Sequence, residues 1–166
     1  EHERGAKLFH TAYVVSTHGE EVGKVDYVWR IFGVLKEMCE KHWHHNYRTM
    51  SDFHSTIMTV RGFGSFMAAQ VVADVKHTRW PWTLGVTDGI TFAAPGPGSL
   101  RGATKVLGRS VTEARFMPAL EEIREGLGDV VDCVDNQDLQ NCLCEFDKYT
   151  RYKYGEKGRV RKYQGV

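Results

Sequence analysis

The sequence predicts an all-α domain, and three observations carry that expectation. Apolar residues recur at helical spacing in several runs, glycine and proline punctuate the chain between them, and no pair of alternating segments suggests a sheet. With 166 residues, 42% of them hydrophobic, the chain can bury a core as one domain over 1–166, ending in a basic tail over 150–166. No internal repeat or second domain is discernible.

From Asp26 to about Lys41, the residues Val28, Ile31, Phe32, Leu35, Met38 and Cys39 share one helical face, with Asp26 suited to the cap or first turn. Ser51 opens a second helix through Phe53, Ile57, Met58 and Val60. After Gly62-Phe63-Gly64, Ser65 caps a third through Met67, Val71, Val72 and Val75 towards His77. Residues 79–98 read as a long irregular loop: Trp80-Pro81-Trp82 breaks the helix, and Pro95-Gly96-Pro97-Gly98 opposes regular structure. Ser99 then caps a short helix through Val106, and Thr112 another reaching Arg124, closed by Gly126 and Gly128. Asp135 caps a last long helix, whose expected buried stripe is Leu139, Cys142, Leu143, Phe146 and Tyr149.

The formal net charge is only +1, so any affinity for nucleic acid must come from local charge. Such charge gathers at the C-terminus, where Lys148, Arg151, Lys153, Lys157, Arg159, Arg161 and Lys162 stand among Tyr149, Tyr152, Tyr154 and Tyr163. Glu156 is the only acid after Asp147. The stretch suits either phosphate neutralisation with aromatic stacking or a solvated tail. Cys39, Cys133, Cys142 and Cys144 lack the spacing of a zinc or iron–sulfur site and read as reduced thiols. No signal peptide or membrane-length apolar run occurs, which predicts an intracellular, soluble protein. The sequence opens at Glu1 rather than methionine, as a fragment or processed product would.

Four groups of residues invite a chemical reading. The turn Gly62-Phe63-Gly64 with Ser65 behind it brings backbone amides to a helix start, where they either bind a phosphate or simply join two helices. The loop Pro95–Gly102, containing Gly98, Ser99 and Arg101 and followed by Lys105, combines fixed backbone with two cations and suits a phosphate or pyrophosphate. No Walker A pattern occurs, so a P-loop NTPase is unsupported. On the last helix Asn141, Glu145 and Lys148 share a face beside the line Cys144, Asp147 and Arg151, as a polar-ligand row or a solvated face. His42, His44, His45 and His54 lack carboxylates at ligand spacing and fit helix-terminal charge better than a metal. No metal and no cofactor are assigned.

The pattern from Val60 through Gly62, Phe63 and Gly64 to Ala68 resembles the helix-hairpin-helix element of DNA repair glycosylases. Arg61 replaces the usual proline, and Phe66 stands where bifunctional members carry a Schiff-base lysine. Asp88, on Val86-Thr87-Asp88-Gly89, lies in the region of the charge-stabilising aspartate of those enzymes, or is a turn aspartate. Taken with Gln70 and Asp74, the Gly-Pro-Gly-Ser-x-Arg-Gly loop and the Leu143–Tyr149 segment, the chain resembles the glycosylase-like proteins that hypermodify thymine in bacteriophage DNA. These are the α-glutamyl/putrescinyl-thymine pyrophosphorylases, the amino-acid:DNA transferases and the helical part of 5-hydroxymethyluracil DNA kinases. The resemblance runs from Phe9-His10-Thr11-Ala12-Tyr13 to the basic tail, although members carry further helices ahead of that segment.

The resemblance implies a helix-hairpin-helix DNA glycosylase-like helical domain with a long irregular loop. It also implies a transferase that displaces pyrophosphate from 5-hydroxymethyluracil in double-stranded DNA with an amine or amino acid, in the company of a DNA kinase. The implied catalytic residues are Asp88, Arg101, Glu145 and Lys148, and the phosphate ligands Gly98, Ser99, Arg101 and Lys105. The implied DNA contacts are Gly62, Gly64, Ser65, Arg151, Lys153, Arg159 and Arg161. The alternatives are a DNA glycosylase and a non-catalytic DNA-binding domain of a hydroxymethyluracil DNA kinase.

Overall fold

The computed structural model describes residues 16–42, 47–79, 85–128 and 134–156. Trp80, Pro81, Trp82, His44, His45, Cys133, Arg159, Arg161 and the segment 9–13 lie outside the described residues. The fold is all-α: six helices and one 3-10 turn are present among the described residues, with no strand.

Helix α1 (Lys24–His42) carries Asp26 in its first turn. It buries Tyr27, Ile31 and Leu35. Phe32, expected inside, is half exposed and meets Phe63 of the glycine turn edge-on, with ring centroids 6.0 Å apart. Trp29 on the outer face is 83% exposed.

Helix α2 (Met50–Met58) starts one residue before Ser51, because Thr49 is the cap and accepts from the Asp52 amide at 2.9 Å. The amides of Met50 and Ser51 donate to the two carboxylate oxygens of Asp88, at 2.5 and 3.2 Å. The first turn is thereby satisfied by a residue distant in sequence.

Gly62 has φ +100°, and a β-carbon there would stand 3.0 Å from the Tyr27 hydroxyl. This crowding and dihedral explain a glycine at the turn. The cap of helix α3 (Ser65–Val75) is Gly64 rather than Ser65. His54 of α2 is buried, with Nε2 3.0 Å from the Ser65 carbonyl, which joins the hairpin's two helices.

Helices α1 to α3 enclose one apolar cluster containing Tyr27, Phe53, Ile57, Phe63 and Val72. A second surrounds Ala103, Phe116, Leu120, Leu139 and Leu143. Residues 85–96 link them: Phe92 packs on the first cluster and its neighbour Ala93 in the second. Asn136 strengthens the link by donating from its backbone to the Ile90 carbonyl and from its side chain to that of Thr91. Lys76, buried at the end of α3, bonds Asp135 and lies 3.5 Å from Asp138.

Helix α4 (Pro97–Leu107) begins inside the expected irregular loop, with Gly96 as cap and Pro97 in the first turn. Proline disrupts a helix interior but not its first turn, where no amide partner is lost. Ser99, expected as the cap, is the third residue of the helix and fully buried. Its hydroxyl accepts from the Gly96 amide and donates to the Gly96 carbonyl, both at 3.0 Å.

A 3-10 turn (Glu113–Arg115) precedes helix α5 (Phe116–Leu127), so Thr112 caps that turn instead of the helix. Helix α6 (Asn136–Lys153) opens at Asp135 with reciprocal Asp135–Asp138 capping. Its buried face differs from the expected stripe. Cys142, Phe146 and Tyr149 are exposed, whereas Gln137, Leu139, Gln140, Leu143, Asp147 and Thr150 are buried. Polar groups of α4 make this possible, because they satisfy Gln140, Asp147 and Thr150 where an apolar partner would not.

Candidate functional site

Helices α4 and α6 approach closely through Gly98 and Gly102, one turn apart on α4. A β-carbon on Gly98 would lie 2.5 Å from Cys144 Sγ, and one on Gly102 only 2.8 Å from the Leu143 carbonyl carbon. Gly98 therefore serves as a helix-packing residue. Arg101 and Lys105, also a turn apart, extend from the same region of α4 over α6.

Both reach Asp147, which is fully buried. The Arg101 guanidinium donates to Oδ2 through Nε at 2.9 Å and Nη2 at 2.8 Å. Lys105 Nζ stands 3.2 Å from Oδ1 and Arg151 Nη1 3.9 Å from Oδ2. Oδ1 has this ionic contact but no well-aligned hydrogen bond. Burial pushes the Asp147 carboxyl up, yet Arg101 and Lys105 outweigh it and hold the group below its ordinary value. The carboxylate thus stays charged and fixes three cations.

Lys105 also donates to Thr150 Oγ1 at 2.8 Å and to both oxygens of Glu156 at 2.9 and 3.0 Å. The bond to Glu156, opposed by burial and supported by Asp147, raises the lysine above its ordinary value. Arg101 remains 49% exposed, so its guanidinium faces both the buried carboxylate and solvent.

The other candidate residues are placed differently. Glu145 and Lys148 form an ion pair at 2.5 Å on the outer face of α6, both more than half exposed. Asp88 is engaged with the start of α2. Lys153 is exposed, its ammonium 5.5 Å from the ring centroids of Tyr149 and Tyr154. The structure therefore groups Arg101, Lys105 and Arg151, and leaves Asp88 and the Glu145–Lys148 pair in separate hydrogen-bond systems.

At the hairpin, Gly64 is exposed, and the first turn of α3 has neither a side-chain cap nor an acidic residue. Phe66 and Met67 in that turn are both exposed. Arg61 on the turn pairs with Glu20 at 3.3 Å and is otherwise open.

Burial raises the thiol pKa of Cys39 and Cys144, which disfavours the nucleophilic thiolate. Among the described residues no group of three His, Cys, Asp or Glu side chains could hold a metal ion. Nor is any described helix long and apolar enough to cross a membrane.

Glu156 is a neighbour of this cluster that sequence patterning did not place there, whereas Asp147 stood in the line Cys144, Asp147 and Arg151 without its link to Arg101 and Lys105. Two spacings foreshadow Asp147: Arg101 with Lys105, and Asp147 with Arg151, each four apart.

No curated protein and no solved structure matches the chain. A family model does, described as "5-hmdU DNA kinase, helical domain" and matched over residues 1–159. With an all-α fold and nearly the whole sequence within that match, the chain belongs to the family of 5-hmdU DNA kinase helical domains.

Proposed function

We propose that this domain holds double-stranded DNA carrying hydroxymethyluracil-type bases, and acts alongside a DNA kinase in the modification of those bases. The observation that carries the reading is the open start of α3 at Gly64 in a chain of this family. Three successive amides without a side-chain cap suit a backbone phosphate, as in the glycosylase-like helix-hairpin-helix scaffold. Gly62 shapes the turn, Gly64 and Ser65 contact the strand, and Arg151, Lys153, Arg159 and Arg161 follow the backbone. Arg101 and Lys105 receive a phosphate borne by the base. Gly98 and Ser99 support these two cations from within α4.

A second reading is favoured by the half-exposed Arg101 guanidinium, which Asp147 holds in a fixed orientation. In that reading an amine or amino acid displaces pyrophosphate from the methylene carbon of the base. The carbon–oxygen bond breaks, pyrophosphate departs with its electron pair to Arg101 and Lys105, and the amine nitrogen forms the new bond. Glu145 or Asp88 accepts the amine proton, and Lys148 steadies the departing anion.

Binding and chemistry separate in two measurements. Duplexes with thymine or hydroxymethyluracil are titrated at several salt concentrations, where binding by both duplexes with a steep salt dependence is expected. Absence of binding to either duplex would falsify the DNA-holding role. Incubation with a pyrophosphorylated duplex and candidate amines, followed by nucleoside mass spectrometry, tests transfer: a new nucleoside supports it, and an unchanged nucleoside profile removes it. Free base with an abasic strand would instead identify a glycosylase.

A further inference from the structure

The last described turn of the chain brings the lone acid of the basic C-terminal region back to α4. Gly155 adopts φ +63°, the Glu156 amide donates to the Arg151 carbonyl at 3.1 Å, and the Glu156 carboxylate closes on Lys105. Both carboxylate oxygens lie within 3.0 Å of the same ammonium. Glu156 therefore sits where an external anion would meet Lys105.

Charge around Asp147 shows why that position matters. Arg101, Lys105 and Arg151 face Asp147 and Glu156, three cations against two carboxylates, so the cluster keeps one positive charge in excess. Displacing Glu156 doubles that excess, while Asp147, buried behind the cations, holds them in place. The two carboxylates differ in exposure: Asp147 is buried in α6, whereas Glu156 is 44% exposed beyond the helix end.

We propose that Glu156 is an internal anion occupying the Lys105 end of a phosphate site, and that a terminal phosphate displaces it. This rests on the reading of Arg101 and Lys105 as phosphate ligands. A terminal phosphate carries close to two negative charges and three acceptor oxygens, enough to engage Lys105 and the exposed edge of Arg101 together. A backbone phosphodiester carries the same single charge as Glu156 and gains little by replacing it. The site thus selects a phosphate monoester or pyrophosphate over unmodified DNA, and displacement frees the root of the basic tail.

The test titrates the full chain and its Glu156→Gln variant with three probes: inorganic phosphate, a duplex bearing phosphorylated hydroxymethyluracil, and the unmodified duplex. Because a part-exposed ion pair is weak, Glu156→Gln is expected to tighten phosphate binding roughly two- to fivefold. Lys105→Met in the same background should abolish the gain. A gain with free phosphate alone identifies the soluble anion as the ligand, and a gain with both phosphate and the phosphorylated duplex identifies the base-borne group. An equal gain with the unmodified duplex overturns the selectivity. Equal phosphate affinity in the two proteins overturns the displacement while leaving the anion site intact. No phosphate or phosphorylated-duplex binding by either protein removes the anion site itself, and the displacement with it.

Discussion

Gly102 of α4 lies directly against the main chain of Leu143 in α6, so a β-carbon there would overlap the Leu143 carbonyl oxygen and stand 3.1 Å from its Cα. Neither backbone can turn aside without moving its helix. Gly102→Ala is therefore expected to destabilise the domain by about 3 kcal/mol or more, the upper range of overpacking. Gly98→Ala meets chiefly the Cys144 sulfur, which can change rotamer, and alanine is the better helix former. Its cost should be less than half as large. Denaturant unfolding of both variants checks the order, and equal losses would show that α4 and α6 separate more readily than the close approach implies.

Asp147 ties the same helix pair together electrostatically. Replacing it with alanine leaves Arg101 and Lys105 without their buried partner. Since both cations reach solvent, the loss should fall below that of a fully buried pair, at about 2–3 kcal/mol. The pH dependence has a defined sign, because the folded-state carboxyl lies below the ordinary value of 3.8. The charged form contributes stability that is complete above that value and is lost as pH falls through the lower, folded-state value. Unfolding midpoints measured from neutral pH to strong acid should fall less steeply at the acid end for Asp147→Ala than for the parent.

The fold class and most helix positions were legible because they rest on local pattern. The apolar period of α1 and the reciprocal cap at Asp135 need only neighbours in sequence. The buried face of α6 was not legible, since it depends on partners from α4. Asp147 and Gln140 look solvent-facing until Arg101 and Ser99 arrive from more than forty residues away. The candidate site was half legible for the same reason. Its cations stand out in the sequence, and Asp147 stands in line with Arg151, but nothing local shows that this carboxylate is buried against Arg101 and Lys105.

Asp88 shows how one residue can suit two roles that a pair of substitutions separates. Its carboxylate receives the Met50 and Ser51 amides. Asp88→Ala should cost about 1–2 kcal/mol, the scale of a lost helix cap. Asp88→Asn keeps an acceptor oxygen for one of the two amides and should recover part of that loss. If Asp88 also accepts a proton during transfer, Asn fails in the nucleoside assay despite folding normally. Parental turnover by the Asn variant would confine Asp88 to holding α2.

The two glycines of the hairpin should separate stability from DNA contact. Gly62 combines φ +100° with close approach to Tyr27 and Ile31, so Gly62→Ala is expected to lose about 2 kcal/mol through strain and crowding. Gly64 is the opposite case: its φ of −78° and ψ of 175° are open to any residue, and nothing lies near its β-position. Aspartate at Gly64 would cap α3 from its own side chain and complement the helix dipole, gaining about 0.5–1 kcal/mol. The same carboxylate would occupy the amides that a phosphate needs and repel it. Gly64→Asp should therefore raise the unfolding midpoint while weakening duplex binding about tenfold or more, a loss that more salt partly masks. A stabilised variant with unchanged DNA affinity would remove the start of α3 from the interface.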